Sequence, residues 1–241
     1  MTQVAVVTGG AHGLGEHIVR RLHAGGYQVA VTDLDGAAAE TLAKELGTRG
    51  YHVDVSDRIA LTRLLADVLA DFDDVHVLVN NAARTQATPL FEITPEELAA
   101  VMAVNLGGTF TACQIFGAYF AGQGYGRIVN MASLAGQNGG TATGGHYASS
   151  KGAILSATKV FARELAGKGV TVNAVSPGPQ DSPMVRSIVG EDNIEDFARN
   201  IPVGRLGNPA FIAEMVALLA SPDAACVTGA CWDANGGLYL R

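Results

Sequence analysis

Six short apolar runs punctuate the chain: VAVVT (4–8), VAVTD (29–33), YHVDV (51–55), VHVLVN (75–80), RIVNM (127–131) and VTVNAV (170–175). Each is close to continuously hydrophobic, the pattern of a strand covered on both faces. Amphipathic stretches lie between them. The first sets Leu14, Ile18 and Leu22 at i, i+4 and i+8, and others start near Gly36, Asp57, Pro95, Tyr147 and Pro209. Thr94 followed by Pro95 reads as a helix cap and its N1 proline, with Glu96 and Glu97 in the first turn. Regular strand–helix alternation predicts an α/β fold, a doubly wound parallel sheet in a single domain. Ligands of such sheets bind beyond the carboxyl ends of the strands, so the chemistry is sought just after each apolar run.

Composition narrows the partners. The chain has 241 residues, 48% hydrophobic and 16% charged, with no linker-like segment to divide it. The one low-complexity stretch is GQNGGTATGG at 136–145. A net charge of −7 without a basic run argues against nucleic acid and anionic membranes. The N-terminus lacks the pattern of a signal peptide, and no apolar run is expected to approach the roughly eighteen residues that span a bilayer. Cys113, Cys226 and Cys231, an odd set, fit a reducing compartment, so a cytoplasmic location is expected. The six histidines are scattered without metal-ligand spacing, and no metal is expected.

After the first apolar run comes TGGAHGLG, with Gly9, Gly13 and Gly15 between a strand and a helix. Glycines permit the tight turn and close approach of a pyrophosphate, while the helix N-terminus offers unpaired N–H groups and a positive dipole end. His12 and Leu14 belong to this loop. Asp33 ends the second run, eighteen residues beyond Gly15, which suits a carboxylate accepting from ribose hydroxyls. At about 5 Å from a 2′-phosphate it would add roughly 3 kcal/mol of repulsion at an effective dielectric near 20. NAD is therefore expected over NADP.

Tyr147 and Lys151 stand four residues apart, one helical turn, so both rise from one helix face. A free tyrosine is a feeble base near neutrality. An ammonium about 4 Å away would favour the phenolate by roughly 4 kcal/mol. Ser133 lies two residues past the fifth run, and Asn105 falls inside a helical stretch.

The G-x-x-x-G-x-G turn, NNAA at 80–83, Asn105, Ser133, Y-x-x-x-K at 147–151 and SPGPQDSPM at 176–184 together resemble the short-chain dehydrogenase/reductase family, along essentially the whole chain. The resemblance implies a Rossmann-type sheet of about seven strands, the last within VTGACWDANGG. It implies Tyr147 as acid/base, Ser133 as orienter of the substrate oxygen, Lys151 as the charge that lowers the phenol's proton affinity and anchors the nicotinamide ribose, and Asn105 as a relay holding a water. It puts Asp54 and Val55 against adenine, Asn80 between strand ends, and the backbone of Asn81 and Ala82 near ribose. Pro177, Gly178, Gln180 and Ser182 pass the nicotinamide. Family members that use NADP usually carry Arg or Lys where this chain has Asp33, Leu34 and His12. Ala83, Gln180 and Ser182 depart from the usual Gly, Val or Ile, and Thr. Residues 184–202 are expected to form a short helical lid, with Arg84, Leu134, Gln137, Asn138, Thr143 and His146 lining the substrate. Helices near 109–122 and 149–166 are expected to mediate a homotetramer, or a dimer.

The expected function is NAD-linked interconversion of a secondary alcohol and a ketone. The alternative is a 3-oxoacyl-thioester (acyl-carrier-protein) reductase using NADPH, against which stand Asp33 and the lack of a basic patch for an acidic carrier. A non-catalytic dinucleotide-sensing subunit is a third reading, disfavoured because such proteins lose the Tyr or Lys.

Overall fold

The computed structural model describes residues 2–140, 143–182, 185–186 and 189–241. Seven parallel strands form one sheet in the order β3-β2-β1-β4-β5-β6-β7. They are β1 Val4–Thr8, β2 Gln28–Asp33, β3 Arg49–His52, β4 Val77–Asn80, β5 Gly126–Met131, β6 Val170–Pro177 and β7 Cys231–Ala234. The chain builds outward from β1 to β3, crosses back to β4 on the other side of β1, and continues to β7. The reversal between β1 and β4 is the switch point at which such sheets open a crevice.

Helices cover both faces, as the continuous apolar runs require. The helices are α1 Gly13–Ala24, α2 Gly36–Leu46, α3 Arg58–Phe72, α4 Pro95–Met102, α5 Thr109–Gln123, α6 Ala135–Asn138, α7 Gly145–Leu165, α8 Ile194–Arg199 and α9 Pro209–Ala220. In β1, Ala5 and Val7 join Ile18 and Leu22 of α1, Leu42 of α2 and Ile212 and Leu219 of α9 in one layer. Val4 and Val6 point the other way, to Leu61 and Leu64 of α3, Phe116 and Phe120 of α5, and Leu165 of α7. The strand's two-residue period thus feeds two cores from one short run.

Two expectations need correction. The third strand is Arg49–His52 rather than 51–55. It pairs with Ala30–Asp33, while Val53 and Val55 are buried beyond its end and Asp54 turns the chain by accepting from Ser56. The helical run Pro95–Gln123, 29 residues, holds an 18-residue window of mean hydropathy 1.4, long and apolar enough to cross a membrane by length and composition. The sequence alone did not reveal it because it is a helical run of α4, a connecting turn and α5, not an unbroken apolar string. Its Val101, Cys113, Phe116 and Phe120 are buried within the protein.

Candidate active site

Helix starts show where a ligand is invited. Asp35, Asp57, Thr94 and Asn208 each cap their helix by accepting a backbone N–H from the first turn. α1 starts differently. Its cap residue, His12, makes no side-chain capping bond, so the first-turn N–H groups keep their hydrogen-bonding capacity for an anion. Gly13 holds φ +53° and a Cβ there would meet nothing within 4 Å, so the turn is open above. Below it is tight: a Cβ on Gly9 would sit 2.8 Å from the Ala82 Cα, and one on Gly15 would overlap the Gly9 carbonyl. A pyrophosphate-sized group fits this cradle.

Neighbouring strands hold the cradle from both sides. From β2, Asp33 Oδ2 accepts from Ala11 N (3.0 Å) and its Oδ1 from Asp35 N (3.0 Å). From β4, Asn81 Nδ2 donates to Gly9 O (2.8 Å) and Thr8 O (3.2 Å), while Thr8 Oγ1 accepts from Asn81 N and Ala82 N (both 3.1 Å). Leu34 is exposed beside Asp33. His12 leans toward Asp35, its Nε2 3.5 Å from Oδ2, rather than over the turn. Asp54 is held ionised by two hydrogen bonds from Ser56. Val55 is buried against Gly108, and Asn80 donates to Asn130 Oδ1 (2.8 Å), tying β4 to β5 as expected.

Beyond β5 and β6 lie the candidate reacting groups. The Ser133 hydroxyl acts on the Tyr147 phenol, favouring its ionised form. Ser133 Oγ also accepts from Ala135 N (3.2 Å). Lys151 is buried; its Nζ donates to Met131 O (2.6 Å) and stands 5.6 Å from the Tyr147 ring centroid. Burial pushes the Tyr147 phenol above its ordinary range, with the Ser133 hydroxyl opposing. Burial also pulls Lys151 down to about 8. The ammonium is turned to the end of β5, and desolvation of the phenol opposes the lowering expected from Lys151. What the site holds near neutrality is a protonated phenol.

The lysine makes a pH prediction. Its folded value lies below the ordinary 10.5, so between about pH 8 and 10.5 the unfolded chain binds more protons and stability climbs with pH through this group. Lys151→Met removes that contribution. The variant should gain at most about 3 kcal/mol at pH 7, an advantage that fades as pH rises from 8 to 10.5. Thermal unfolding of both proteins across this range checks it, and a gap independent of pH would contradict it.

Asn105 lies in a π turn, Ala103–Gly108, joining α4 to α5. Single π turns often mark functional positions. Its side chain accepts from Arg84 N (2.7 Å) and donates to Arg84 O (3.0 Å) and Ser150 Oγ (2.9 Å), and Ser150 in turn donates to Tyr147 O. Both amide protons are committed, which leaves one Oδ1 lone pair for a water. Pro177 and Gly178 are fixed by Leu134 N→Pro177 O and Gly178 N→Ala234 O (both 2.9 Å). Gln180 is buried against Gly207, its Nε2 donating to Gly178 O, and Ser182 Oγ accepts from Val185 N. Of the expected lid, 191–193 form a 3-10 turn and α8 follows; residues 183–184 and 187–188 lie outside the described residues.

Among the expected substrate-lining residues, two are otherwise engaged. Gln137 donates to Asp233 on β7 (2.7 Å), and His146 is buried against Glu97. Thr8, Ser150 and the Met131 carbonyl support the site without having been singled out. Thr8 and Ser150 sit inside the very motifs that point to it, whereas the carbonyl has no sequence signal.

A parallel sheet with a switch-point crevice, an uncapped glycine turn and a half-buried serine and tyrosine beside a buried lysine define a dinucleotide-dependent oxidoreductase of the Rossmann class. The family model described as Enoyl-(Acyl carrier protein) reductase matches residues 9–239. Acetoacetyl-CoA reductase of Rhizobium meliloti (strain 1021) is 40% identical over 241 residues, all of both chains. 2-Dehydro-3-deoxy-L-rhamnonate dehydrogenase (NAD(+)) of Sphingomonas sp. (strain SKA58) is 37% identical over 97% of this chain and 94% of its own. 3-Oxoacyl-[acyl-carrier-protein] reductase FabG of Escherichia coli (strain K12) is 34% identical over 99% and 98%. The chain belongs to the short-chain dehydrogenase/reductase family.

Proposed function

We propose that this chain reduces a short 3-oxoacyl thioester to its 3-hydroxyacyl counterpart, with coenzyme A as the thiol and NADH as the preferred dinucleotide. The observation that carries the chemistry is the Ser133 hydroxyl set against the Tyr147 phenol, whose proton affinity burial raises. The glycine cradle would hold the pyrophosphate of a reduced nicotinamide dinucleotide, which would supply the hydride for the carbonyl carbon. Tyr147 Oη donates its proton to the carbonyl oxygen, Ser133 orients that oxygen by a second hydrogen bond, and solvent returns the proton to the phenolate. Lys151 offers positive charge beside the forming phenolate and a donor for the nicotinamide ribose. Asn105 braces Arg84 and Ser150, and so the wall around Tyr147. The backbones of Asn81, Ala82, Pro177 and Gly178, with Gln180 and Ser182, face the cofactor, and Asp54, Val55, Leu34 and Leu14 border its adenine half.

The thioester class rests on the two acetoacetyl-CoA reductases 40% identical over the full length of both chains. This shifts the reading away from a general alcohol dehydrogenase. Coenzyme A is favoured over an acyl carrier protein because the two relatives named for acetoacetyl-CoA are 40% identical to this chain and the relative named for an acyl carrier protein is 34% identical. Asp33 favours NADH. A homotetramer accompanies this reading: Phe110 and Val160 are exposed on α5 and α7, and the Phe110 and Phe161 rings meet edge to face at 4.8 Å. A second reading, NAD-linked oxidation of a small sugar-acid alcohol, is favoured by Asp33 together with the NAD(+)-named relative.

Initial rates decide between them. Acetoacetyl-CoA should be reduced at least about tenfold faster with NADH than with NADPH. No turnover of acetoacetyl-CoA with either dinucleotide, alongside NAD-dependent oxidation of a sugar acid, would transfer the proposal to the second reading.

A further inference from the structure

One buried pair beside Tyr147 has no part in the chemistry above. His146 is fully buried, and its Nε2 lies 2.8 Å from Glu97 Oε1; the Glu97 side chain is 14% exposed. The same carboxylate oxygen accepts from Thr88 Oγ1 at 2.5 Å. Three pieces of chain meet here: the segment 83–94 that follows β4, the first turn of α4, and the turn that opens α7, where His146 immediately precedes Tyr147.

Several features mark the contact as built. Thr94-x-x-Glu97 spells a capping box, in which the glutamate ordinarily turns back to the N–H of the cap residue. Thr94 does accept from Glu97 N, but the Glu97 carboxylate faces Thr88 and His146. Thr88 first, then His146, holds that carboxyl below its ordinary range, so it is an anion and the imidazole presents N–H at Nε2. His146 Nδ1 is buried with no hydrogen-bond partner, and that tautomer leaves it a bare acceptor rather than an orphaned N–H. The ring packs into the Gly144 turn: a Cβ on Gly144 would lie 2.6 Å from His146 Cε1 and 2.5 Å from Gln86 O. Next to it, a Cβ on Gly145 would lie 2.7 Å from Leu90 Cδ1. The 83–94 segment is thus seated directly on the turn that sets Tyr147.

We propose that His146 is a positioning residue: by donating to Glu97 it locks the 83–94 wall to the N-terminus of α7 and fixes where the Tyr147 hydroxyl stands. This rests on Tyr147 being the acid/base. A reacting group displaced by about 1 Å costs on the order of a hundredfold in rate.

The test uses Glu97→Ala, His146→Leu and His146→Gln, with steady-state kinetics on acetoacetyl-CoA and NADH binding by fluorescence. Alanine is the strongest helix former, so Glu97→Ala keeps α4 and removes the acceptor. Glu97→Ala and His146→Leu should each lower kcat by about ten- to a hundredfold, with KM and the NADH Kd within about twofold. His146→Gln, whose amide can still donate to Glu97, should recover kcat to within about threefold of wild type. Wild-type kcat in Glu97→Ala overturns the proposal, as does a rise in KM alone, or His146→Gln falling as far as His146→Leu. Tyr147→Phe is run alongside. If that variant turns over, the acid/base assignment fails; if it is dead while Glu97→Ala is normal, only the positioning role fails.

Discussion

Tyr147→Phe should reduce acetoacetyl-CoA turnover by about a thousandfold, the middle of the range that a positioned acid/base contributes, while NADH binding stays within about twofold of wild type. The substitution removes one oxygen and keeps the ring in place, so the fold should be unaffected. What disappears is the proton donor beside the Ser133 hydroxyl. The direction of the phenol's shift adds a further signature. Because burial holds Tyr147 protonated, reduction draws on the form already present at neutral pH, whereas oxidation of the alcohol requires the phenolate and should accelerate as pH rises. Kinetics in both directions, with NADH titrated by fluorescence, check this. A variant retaining more than about a tenth of wild-type kcat would remove Tyr147 from the proposed chemistry.

The second large effect concerns the dinucleotide. Asp33→Asn should raise the ratio of NADPH to NADH use by about ten- to a hundredfold, since about 3 kcal/mol of repulsion at 5 Å corresponds to a hundredfold and solvent screening reduces it. The amide keeps one oxygen for Ala11 N or Asp35 N, so the turn should survive. Asp35, ionised through its cap bond to Ala38 and its contact with His12, leaves some repulsion in place. Asp33→Asn with Asp35→Asn should therefore go further than the single change. Competition by 2′,5′-ADP against AMP isolates the adenosine half from the chemistry. An unchanged ratio in the double variant would show that discrimination lies elsewhere.

Much of the fold was written locally. Parallel strands sandwiched between helices must be apolar on both faces, so β1, β2, β4, β5 and β6 stood out as continuous runs. β3 did not: its Arg49 and His52 are exposed at the sheet edge, and the apolar signal came from Val53 and Val55, which fold back into the core after the strand has ended. The π turn at 103–108 was equally hidden, because one extra residue in a helix leaves the apolar spacing on either side unchanged. For the site, motif spacing placed Ser133, Tyr147 and Lys151 together, but the balance between charge and burial is a three-dimensional quantity. Burial works against the expected lowering of the phenol. Glu97 looked like an ordinary acidic residue at a helix start until the fold brought His146 to it across 49 residues.

Because the sheet grows one way as far as β3 and the other way from β4 onward, the proposed reading puts nucleotide preference and carbonyl chemistry on successive stretches of sequence. Asp33 and the glycine turn belong to the first, Ser133, Tyr147 and Lys151 to the second, and the seam is the reach of Asn81 to Thr8 and Gly9. A chimaera spliced in the connection between β3 and β4 should trade one coenzyme for another without relearning its substrate. Evolution of such a chain can revise its redox currency and its specificity as separate decisions.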